Sequence, residues 1–280
     1  MDMLTIQHLI QHANVEPLEA RMLMQYVTGY SRASLISRGH DVLPASQAQQ
    51  FTALVARRVQ GEPMAYIIGQ REFYGRPFKV TPDVLIPRPD TETLIEHVLQ
   101  HCGWGAEHAL NVLDMGTGSG AIAVTLACER PHWRVSALDI SNAALSVAAE
   151  NAEQLGAQVT FMHSDWFSAW AAHETHPTFD IIVSNPPYVA ALDVHLQQGD
   201  VRFEPRMALT DEADGLRHYK SLVQTAPDYL KAGGQLWFEH GYDQAQAVRE
   251  ALMDAGFIDV NTIRDLAGHE RVSGGTIRNK

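Results

Sequence analysis

The chain has 280 residues, 45% of them hydrophobic and 19% charged, with a formal net charge of −12. That balance supports a buried core and excludes disorder as the dominant state, which needs low hydrophobicity with high charge. So acidic a chain does not hold nucleic acid chiefly by bulk electrostatics. The charge is uneven: residues 1–80 hold eight Lys/Arg against six Asp/Glu (+2), and residues 81–280 hold thirteen against twenty-seven (−14).

Met1 to Thr5 lack a basic region followed by an apolar run, so no signal peptide is expected. No apolar stretch of about 18 residues predicts a membrane span. Residues 2–60 read as a small helical bundle. Apolar residues recur at helical spacing in Leu4, Leu9 and Ile10, and again in Ala20, Leu23, Met24 and Val27. Gly29, Gly39 and Pro44 punctuate it, and a helix from Ser46 to Val59 takes Ser46 as its N-cap. After Gly61-Glu62-Pro63, the stretch Phe73 to Val80 alternates and turns like a hairpin. Ile86-Pro87-Arg88-Pro89 cannot continue a helix and reads as a stiff connector into a helix at Thr91. The boundaries expected are 1–72 for the bundle, 73–90 for hairpin and linker, and 91–280 for the remainder.

From there strands and helices alternate. Strands are predicted at 109–114, 134–139, 159–163, 179–184, 235–239, 257–263 and 271–278. Helices are predicted at 121–129, 141–155, 216–230 and 243–255, with Ser141 and Gly156 as caps of the second. This order predicts an α/β fold with a largely parallel sheet. His97 and His101 lie one helical turn apart, and a solvated helix face explains them better than a metal pair. Cys102 and Cys128 form no CxxC and no zinc spacing, which points to a reducing, cytoplasmic setting and no metal.

Asp114-Met115-Gly116-Thr117-Gly118-Ser119-Gly120 joins a strand to a helix. Glycines there permit positive φ and close approach of a ligand to the backbone. Asp139 ends the next strand, placed to accept bonds from ribose hydroxyls. Gly118 to Ala123 also fits a loose dinucleotide fingerprint, so NAD stays open at this point. A carboxylate at Asp114 suits the positive amino group of a methionine and favours S-adenosylmethionine.

The strand Phe179 to Ser184 runs directly into Asn185-Pro186-Pro187-Tyr188. Prolines fix φ and hold this backbone open. The Asn185 side-chain oxygen and the Pro186 carbonyl can accept both hydrogens of one planar NH2 group, and Tyr188 offers a stacking face. An amide or aromatic amine is a poor nucleophile, so a site that orients its nitrogen supplies what the chemistry lacks.

On these residues the chain resembles the protein-glutamine methyltransferases that modify class 1 peptide-chain release factors. The resemblance includes Gly61-Glu62-Pro63, Phe73-Tyr74-Gly75, Ile86 to Glu92, Asp114 to Ala123, Asp139, Asn185 to Tyr188, Asp214-Gly215-Leu216 and Asp265 to Gly268. It implies a Rossmann-like methyltransferase sheet with an N-terminal partner-recognition bundle and a connecting β-hairpin. It implies that Gly116, Thr117, Gly118, Ser119 and Gly120 wrap S-adenosylmethionine and that Asp139 holds its ribose. Trp166 is implied beside the adenine, with a plain core aromatic as the alternative. Asn185, Pro186, Pro187 and Tyr188 are implied to bind the glutamine of a Gly-Gly-Gln loop, with Asn185, Pro186 and Tyr188 catalytic and Asn185 also touching the cofactor. Arg88 and Glu92 are implied in a cleft lining, with plain ion pairing as the alternative. Where family members often carry a glycine pair, this chain has Asp211-Glu212-Ala213, so a different loop conformation is expected.

Glutamine methylation of a ribosomal protein shares most of these motifs. Methylation of adenine's exocyclic amine uses the same Asn-Pro-Pro-aromatic logic but requires base extrusion and usually a basic cleft. Here Arg57-Arg58 is the only adjacent basic pair. A degenerate, non-enzymatic scaffold would have broken these motifs. The expected partner is a release factor, with no stable nucleic-acid binding, no membrane and a monomeric state.

Overall fold

A computed structural model describes residues 4–101, 108–171 and 173–278. Met1 to Met3, where the leader reading begins, and Cys102 lie outside these residues. The described residues divide into two compact units, one made of the chain up to Gln70 with Gly199–Phe203, the other of Arg71–Gln198 with Glu204 onward.

The first unit is helical. It contains α1 (Ile6–Gln11), α2 (Pro17–Thr28), α3 (Arg32–Ser37), α4 (Ala45–Val59) and α5 (Met64–Ile68). Thr5 and Ser31 cap α1 and α3 by accepting from His8 N and Ser34 N. Gly29 ends α2 at φ 70°, where a side chain would be strained. Leu23 and Met24, which the sequence spacing marks, meet Ile6, Leu35 and Phe51 in one core. Ser46 does not cap α4. The helix starts one residue earlier, with Pro44 at the cap position and no side-chain cap bond. The fixed φ of Pro44 sets the entry angle in place of a hydroxyl. Arg58, near the end of α4, ion-pairs with Glu19 at 2.8 Å and Asp200 at 3.1 Å, which fastens the segment Gly199–Phe203 to this unit.

The second unit opens on the hairpin. Strands β1 (Gln70–Phe73) and β2 (Arg76–Lys79) are joined by Tyr74 and Gly75, both with positive φ. Such a two-residue turn matches the twist of its strands. Glu92 accepts from the Tyr74 N–H at 2.9 Å and pays the steric cost of Tyr74 there. A short 3-10 turn at Pro89–Thr91 leads into α6 (Glu92–His101). Then follow β3 (Asn111–Met115), α7 (Ala121–Glu129), β4 (Arg134–Asp139), α8 (Asn142–Leu155), β5 (Val159–His163) and β6 (Phe179–Ser184). After them come α9 (Arg206–Leu209), α10 (Arg217–Tyr229), β7 (Leu230–Glu239), α11 (Ala245–Asp254), β8 (Phe257–Arg264) and β9 (Glu270–Ile277). Ser141 and Gly156 cap α8 as expected. β7 begins five residues before the sequence places it, because Leu230 pairs with Phe179 across a register shift.

The seven strands lie in the order β5-β4-β3-β6-β7-β9-β8, with only β9 antiparallel to its neighbours. Alternate strand residues face opposite ways. Val112, Ile181 and Val183 join one core with α6 and α7, while Leu113, Ile182, Leu236 and Phe238 join another with α10 and α11. The sheet is therefore covered on both faces, which is why its strands read as continuous apolar runs. β3 and β6 are neighbours, yet the chain leaves β3 toward β4 and leaves β6 toward β7. Their carboxyl ends form the switch point where open sheets of this kind hold ligands.

His97 departs from the sequence reading. It is 8% exposed and lies 4.0 Å, centroid to centroid, from the Trp237 ring. Burial, with His101 beside it, pushes its pKa down to about 4. The α6 face that carries it packs on the sheet, which an isolated pair of histidines could not disclose. No described helix is long and apolar enough to cross a membrane.

Candidate active site

A cavity of about 350 Å³ opens at the carboxyl ends of β3, β4 and β6. Gly116, Gly118, Asp139, Trp166, Asn185 and Pro187 all line it. The glycine loop, the end of β4 and the Asn-Pro-Pro-Tyr turn, up to 71 positions apart in the chain, thus meet at one place. Thr117, Ser119, Gly120, Pro186 and Tyr188 are not among its lining residues.

Backbone bonds shape the loop. The N–H groups of Gly116 and Thr117 both donate to the Leu138 carbonyl at 2.9 Å, tying the loop to β4. Gly116, Gly118 and Gly120 have φ of 72°, 56° and 82°. At Gly120 a Cβ would lie 3.1 Å from Ala148, so close packing of α7 on α8 requires glycine. At Gly118 a Cβ would meet nothing within 4 Å, so it would occupy open cavity instead. Asp139 accepts from Gly118 N at 2.8 Å and from Ser141 N at 2.9 Å. Burial raises its pKa, and these two bonds oppose the rise.

Asp114 does not face the cavity. It is fully buried beneath the loop, where one carboxylate oxygen accepts from the Thr117 hydroxyl at 2.7 Å and the Ala123 N–H at 3.2 Å. Contact with a ligand's amino group is therefore not its task. It clamps the loop to the start of α7. Burial pushes its pKa up to about 7. Between about pH 4 and 7 the folded chain keeps a proton that the unfolded chain has lost, so stability falls as pH rises through that window. Asp114→Asn removes this titration. The variant's melting temperature relative to wild type is expected to improve from pH 5 to pH 8. Identical pH dependence in thermal melts of the two proteins would contradict the assignment.

Trp166 lines the cavity and also packs on the α10–α11 core, near His218 at 5.1 Å. Its φ is 49°, an unfavourable conformation for a bulky residue. The Ser164 hydroxyl donates to the Trp166 carbonyl at 2.5 Å and holds it there. Arg88 and Glu92 do not line the cavity. Arg88 ion-pairs with the buried Glu204, whose other oxygen accepts from Ile86 N at 3.1 Å, and Glu92 serves the hairpin turn.

In the Asn-Pro-Pro-Tyr turn, Asn185 Nδ2 donates to the Thr91 hydroxyl at 3.3 Å. Among the described residues nothing donates to Asn185 Oδ1 or to the Pro186 carbonyl. Tyr188 is anchored from behind. Gln244 Nε2 donates to its carbonyl at 2.9 Å, and its hydroxyl lies 3.5 Å from Glu239 Oε1. The Asp211-Glu212-Ala213 loop also reaches the cavity. Asp211 accepts from the N–H groups of Ala213, Gly215 and Arg217 at 2.8, 3.0 and 2.9 Å, a wrapped carboxylate that replaces a glycine pair as the organiser.

A family model described as the PrmC N-terminal domain matches residues 5–69, and one described as the methyltransferase small domain matches residues 89–202. A release factor glutamine methyltransferase of Bordetella pertussis is 50% identical over 273 residues, covering 98% of this chain and 99% of its own length. Another from Neisseria gonorrhoeae is 50% identical over 96% of this chain and 97% of its own. The chain belongs to the release factor glutamine methyltransferase family. The Escherichia coli relative of that name is 44% identical over 91% of this chain and 90% of its own. Among solved structures, a methyltransferase from Pyrococcus furiosus matches with TM-score 0.55 and 19% identity, over 80% of this chain and 98% of that one. A Thermus thermophilus 16S rRNA methyltransferase matches with TM-score 0.52 and 21% identity, over 75% of this chain and 50% of that one. These two likenesses concern the fold alone.

For a member of this glutamine methyltransferase family, the structure adds Glu239 and Gln244, which no motif singles out, and gives Thr91, Gly215 and Asp211, which lie within stretches the sequence marks, a place in the site. Thr91 and Glu239 back the Asn185 turn, Gln244 and Gly215 hold Tyr188, and Asp211 shapes a cavity wall. Of the two outside the motifs, Glu239 leaves a trace in the sequence, as an acid closing the apolar run Leu236-Trp237-Phe238.

Proposed function

We propose that the chain transfers a methyl group from S-adenosylmethionine to the side-chain amide nitrogen of the glutamine in the Gly-Gly-Gln loop of class 1 peptide-chain release factors. The observation that carries this reading is the pair of unpaired acceptors, Asn185 Oδ1 and the Pro186 carbonyl, in a turn whose Asn185 and Pro187 line the cavity. Two acceptors side by side suit a planar NH2 group and disfavour a hydroxyl or a carboxylate.

The residues present fit S-adenosylmethionine. Gly118 leaves open space that a side chain would fill, Asp139 brings a buried carboxylate to the wall for ribose hydroxyls, and Trp166 offers an aromatic face for the adenine. Gly116, Thr117, Ser119 and Gly120 complete the loop that would wrap the cofactor. When bound, this cofactor supplies an electrophilic methyl group on a sulfonium together with its own leaving group. The chain's part is orientation. Asn185 and Pro186 hold the target nitrogen by both hydrogens, Pro187 and Tyr188 flank its flat amide, and the proline pair keeps the turn from rearranging. Holding two reactants in attack geometry is worth up to roughly 7–11 kcal/mol over free encounter. The helical unit serves partner recognition. The acidity of residues 81–280 agrees with the absence of stable nucleic-acid binding, and a cytoplasmic setting and a monomeric state complete the proposal.

Mass spectrometry of the Gly-Gly-Gln peptide after reaction with release factor and cofactor tests the reading. A gain of one methyl on that glutamine is expected, and none on a Gln→Ala release factor. No gain with cofactor demonstrably bound, or methylation only of a ribosomal protein or DNA offered in parallel, would refute it.

A further inference from the structure

Behind the Asn185 turn lies a second layer that the transfer as described does not use. Glu239, the last residue of β7, is fully buried, and its Oε2 has no hydrogen-bond partner among the described residues. A buried carboxylate with an idle oxygen is costly and calls for a reason. Its neighbours are Thr91, from the turn ahead of α6, and Asn185; both side chains favour its charged form. The Tyr188 hydroxyl lies 3.5 Å from Oε1, and the Tyr219 hydroxyl donates to the Glu239 carbonyl at 2.9 Å. Arg271 and Asp90, themselves ion-paired at 3.2 Å, are the other charged groups acting on it.

Glu239, Thr91 and Asn185 therefore form one cluster: the Thr91 and Asn185 side chains both donate toward the carboxylate, and Asn185 Nδ2 also donates to the Thr91 hydroxyl at 3.3 Å. Their hydrogen bonds have a direction. An ionised carboxylate only accepts, so Thr91 must point its single hydroxyl hydrogen toward Glu239. The Thr91 oxygen then meets Asn185 with lone pairs alone and selects the NH2 end of that amide. The remaining end, Oδ1, is left facing the cavity as an acceptor. Nothing in the shape of an asparagine distinguishes its two ends, and here the adjacent buried carboxylate and the Thr91 oxygen do so. The amide orientation in the structure, Nδ2 on Thr91, is the one this chain of bonds requires.

We propose that Glu239 is a positioning residue: acting directly and through Thr91, it fixes the orientation of the Asn185 amide so that the site accepts hydrogen bonds and thereby selects substrates bearing a planar NH2 group. The part about substrate rests on the function proposed above. The part about orientation does not. Neutralising the carboxylate lets it donate to Thr91, which frees the Thr91 hydrogen for Asn185 Oδ1 and permits the amide to turn its NH2 end outward. Donor would then face donor in the complex. Burial pushes the Glu239 pKa up to about 7, so this loosening falls within an accessible pH range.

The test compares wild type, Glu239→Gln and Thr91→Val as full chains. Asn185 side-chain amide signals in 15N-labelled protein, identified by their loss in Asn185→Ala, should titrate near pH 7 in wild type, stay flat in Glu239→Gln, and titrate with a smaller amplitude in Thr91→Val, where the direct contact with Glu239 remains. Affinity for S-adenosylhomocysteine, read by calorimetry, should stay within about threefold and reports that the cavity is intact. With release factor as substrate, kcat/KM should drop roughly 10–100-fold in each variant, the cost of one unmade buried hydrogen bond. The wild-type acid limb near pH 7 should disappear in Glu239→Gln. An untitrating Asn185 signal in wild type, or variants with wild-type kcat/KM and an unchanged acid limb, would overturn the proposal. So would an equal loss of S-adenosylhomocysteine affinity, which marks a merely structural role. If wild type methylates no release factor while Asn185 titrates as described, the substrate reading fails and the orientation device stands.

Discussion

Asn185→Ala is expected to cut turnover on the release factor by roughly 10²–10³-fold, the range for removing one preorganised polar contact to the reacting group. Cofactor affinity should change far less. The asymmetry follows from position. Asn185 Oδ1 is unpaired at the cavity wall, and its removal takes one of the two acceptors that orient the target nitrogen. Trp166, Asp139 and the glycine loop, which are to hold the cofactor, do not depend on it. The variant also loses the bond to Thr91, but that bond faces the interior and does not touch the loop. Single-turnover kinetics and calorimetry with S-adenosylhomocysteine separate the two quantities. Equal losses in both would contradict the assigned role.

Gly215→Ala is expected to destabilise the fold by roughly 2–4 kcal/mol and to reduce turnover of the remaining folded enzyme by about 10²-fold. Gly215 has φ of 80°, and an added Cβ would lie 2.3 Å from the Tyr188 carbonyl oxygen and 2.7 Å from Gln244 Nε2. The first clash is with backbone and cannot be relieved by a rotamer change. Relief requires moving either the Asp211–Arg217 loop or the turn that carries Asn185 to Tyr188. Gln244 donates to both the Tyr188 and Gly215 carbonyls, at 2.9 and 3.3 Å, so displacing one disturbs the other. Thermal melts measure the first effect and steady-state kinetics the second. A variant melting with wild type and turning over normally would show that this contact does not position the site.

Most of the architecture could be read from residue order. Alternating apolar runs and amphipathic stretches call for a parallel sheet covered on both faces, because backbone pairing and burial act locally. The glycine loop and Asn185 to Tyr188 were equally visible, since positive φ and proline-locked φ restrict which residues can stand there. The two capped ends of α8 follow from local chemistry for the same reason. Other features were hidden. Ser46 fails as a cap because Pro44 enters the helix first. His97 is buried because α6 packs against β7, a contact between residues far apart in the chain.

The acidity of the chain is not all surface charge. The −14 of residues 81–280 includes Asp114 and Glu239, two acids with no exposure to solvent, whose burial holds their pKa near 7. A count of letters treats them as surface charge. Sequence order was enough to identify the sheet, the loop and the Asn-Pro-Pro-Tyr turn, because each depends on neighbours within a few residues. Which way Asp114 points, what stands behind Asn185, and why Gly215 must lack a side chain depend on partners up to 94 positions away. Only packing brings those groups together, and only burial gives their interactions the strength to orient a substrate.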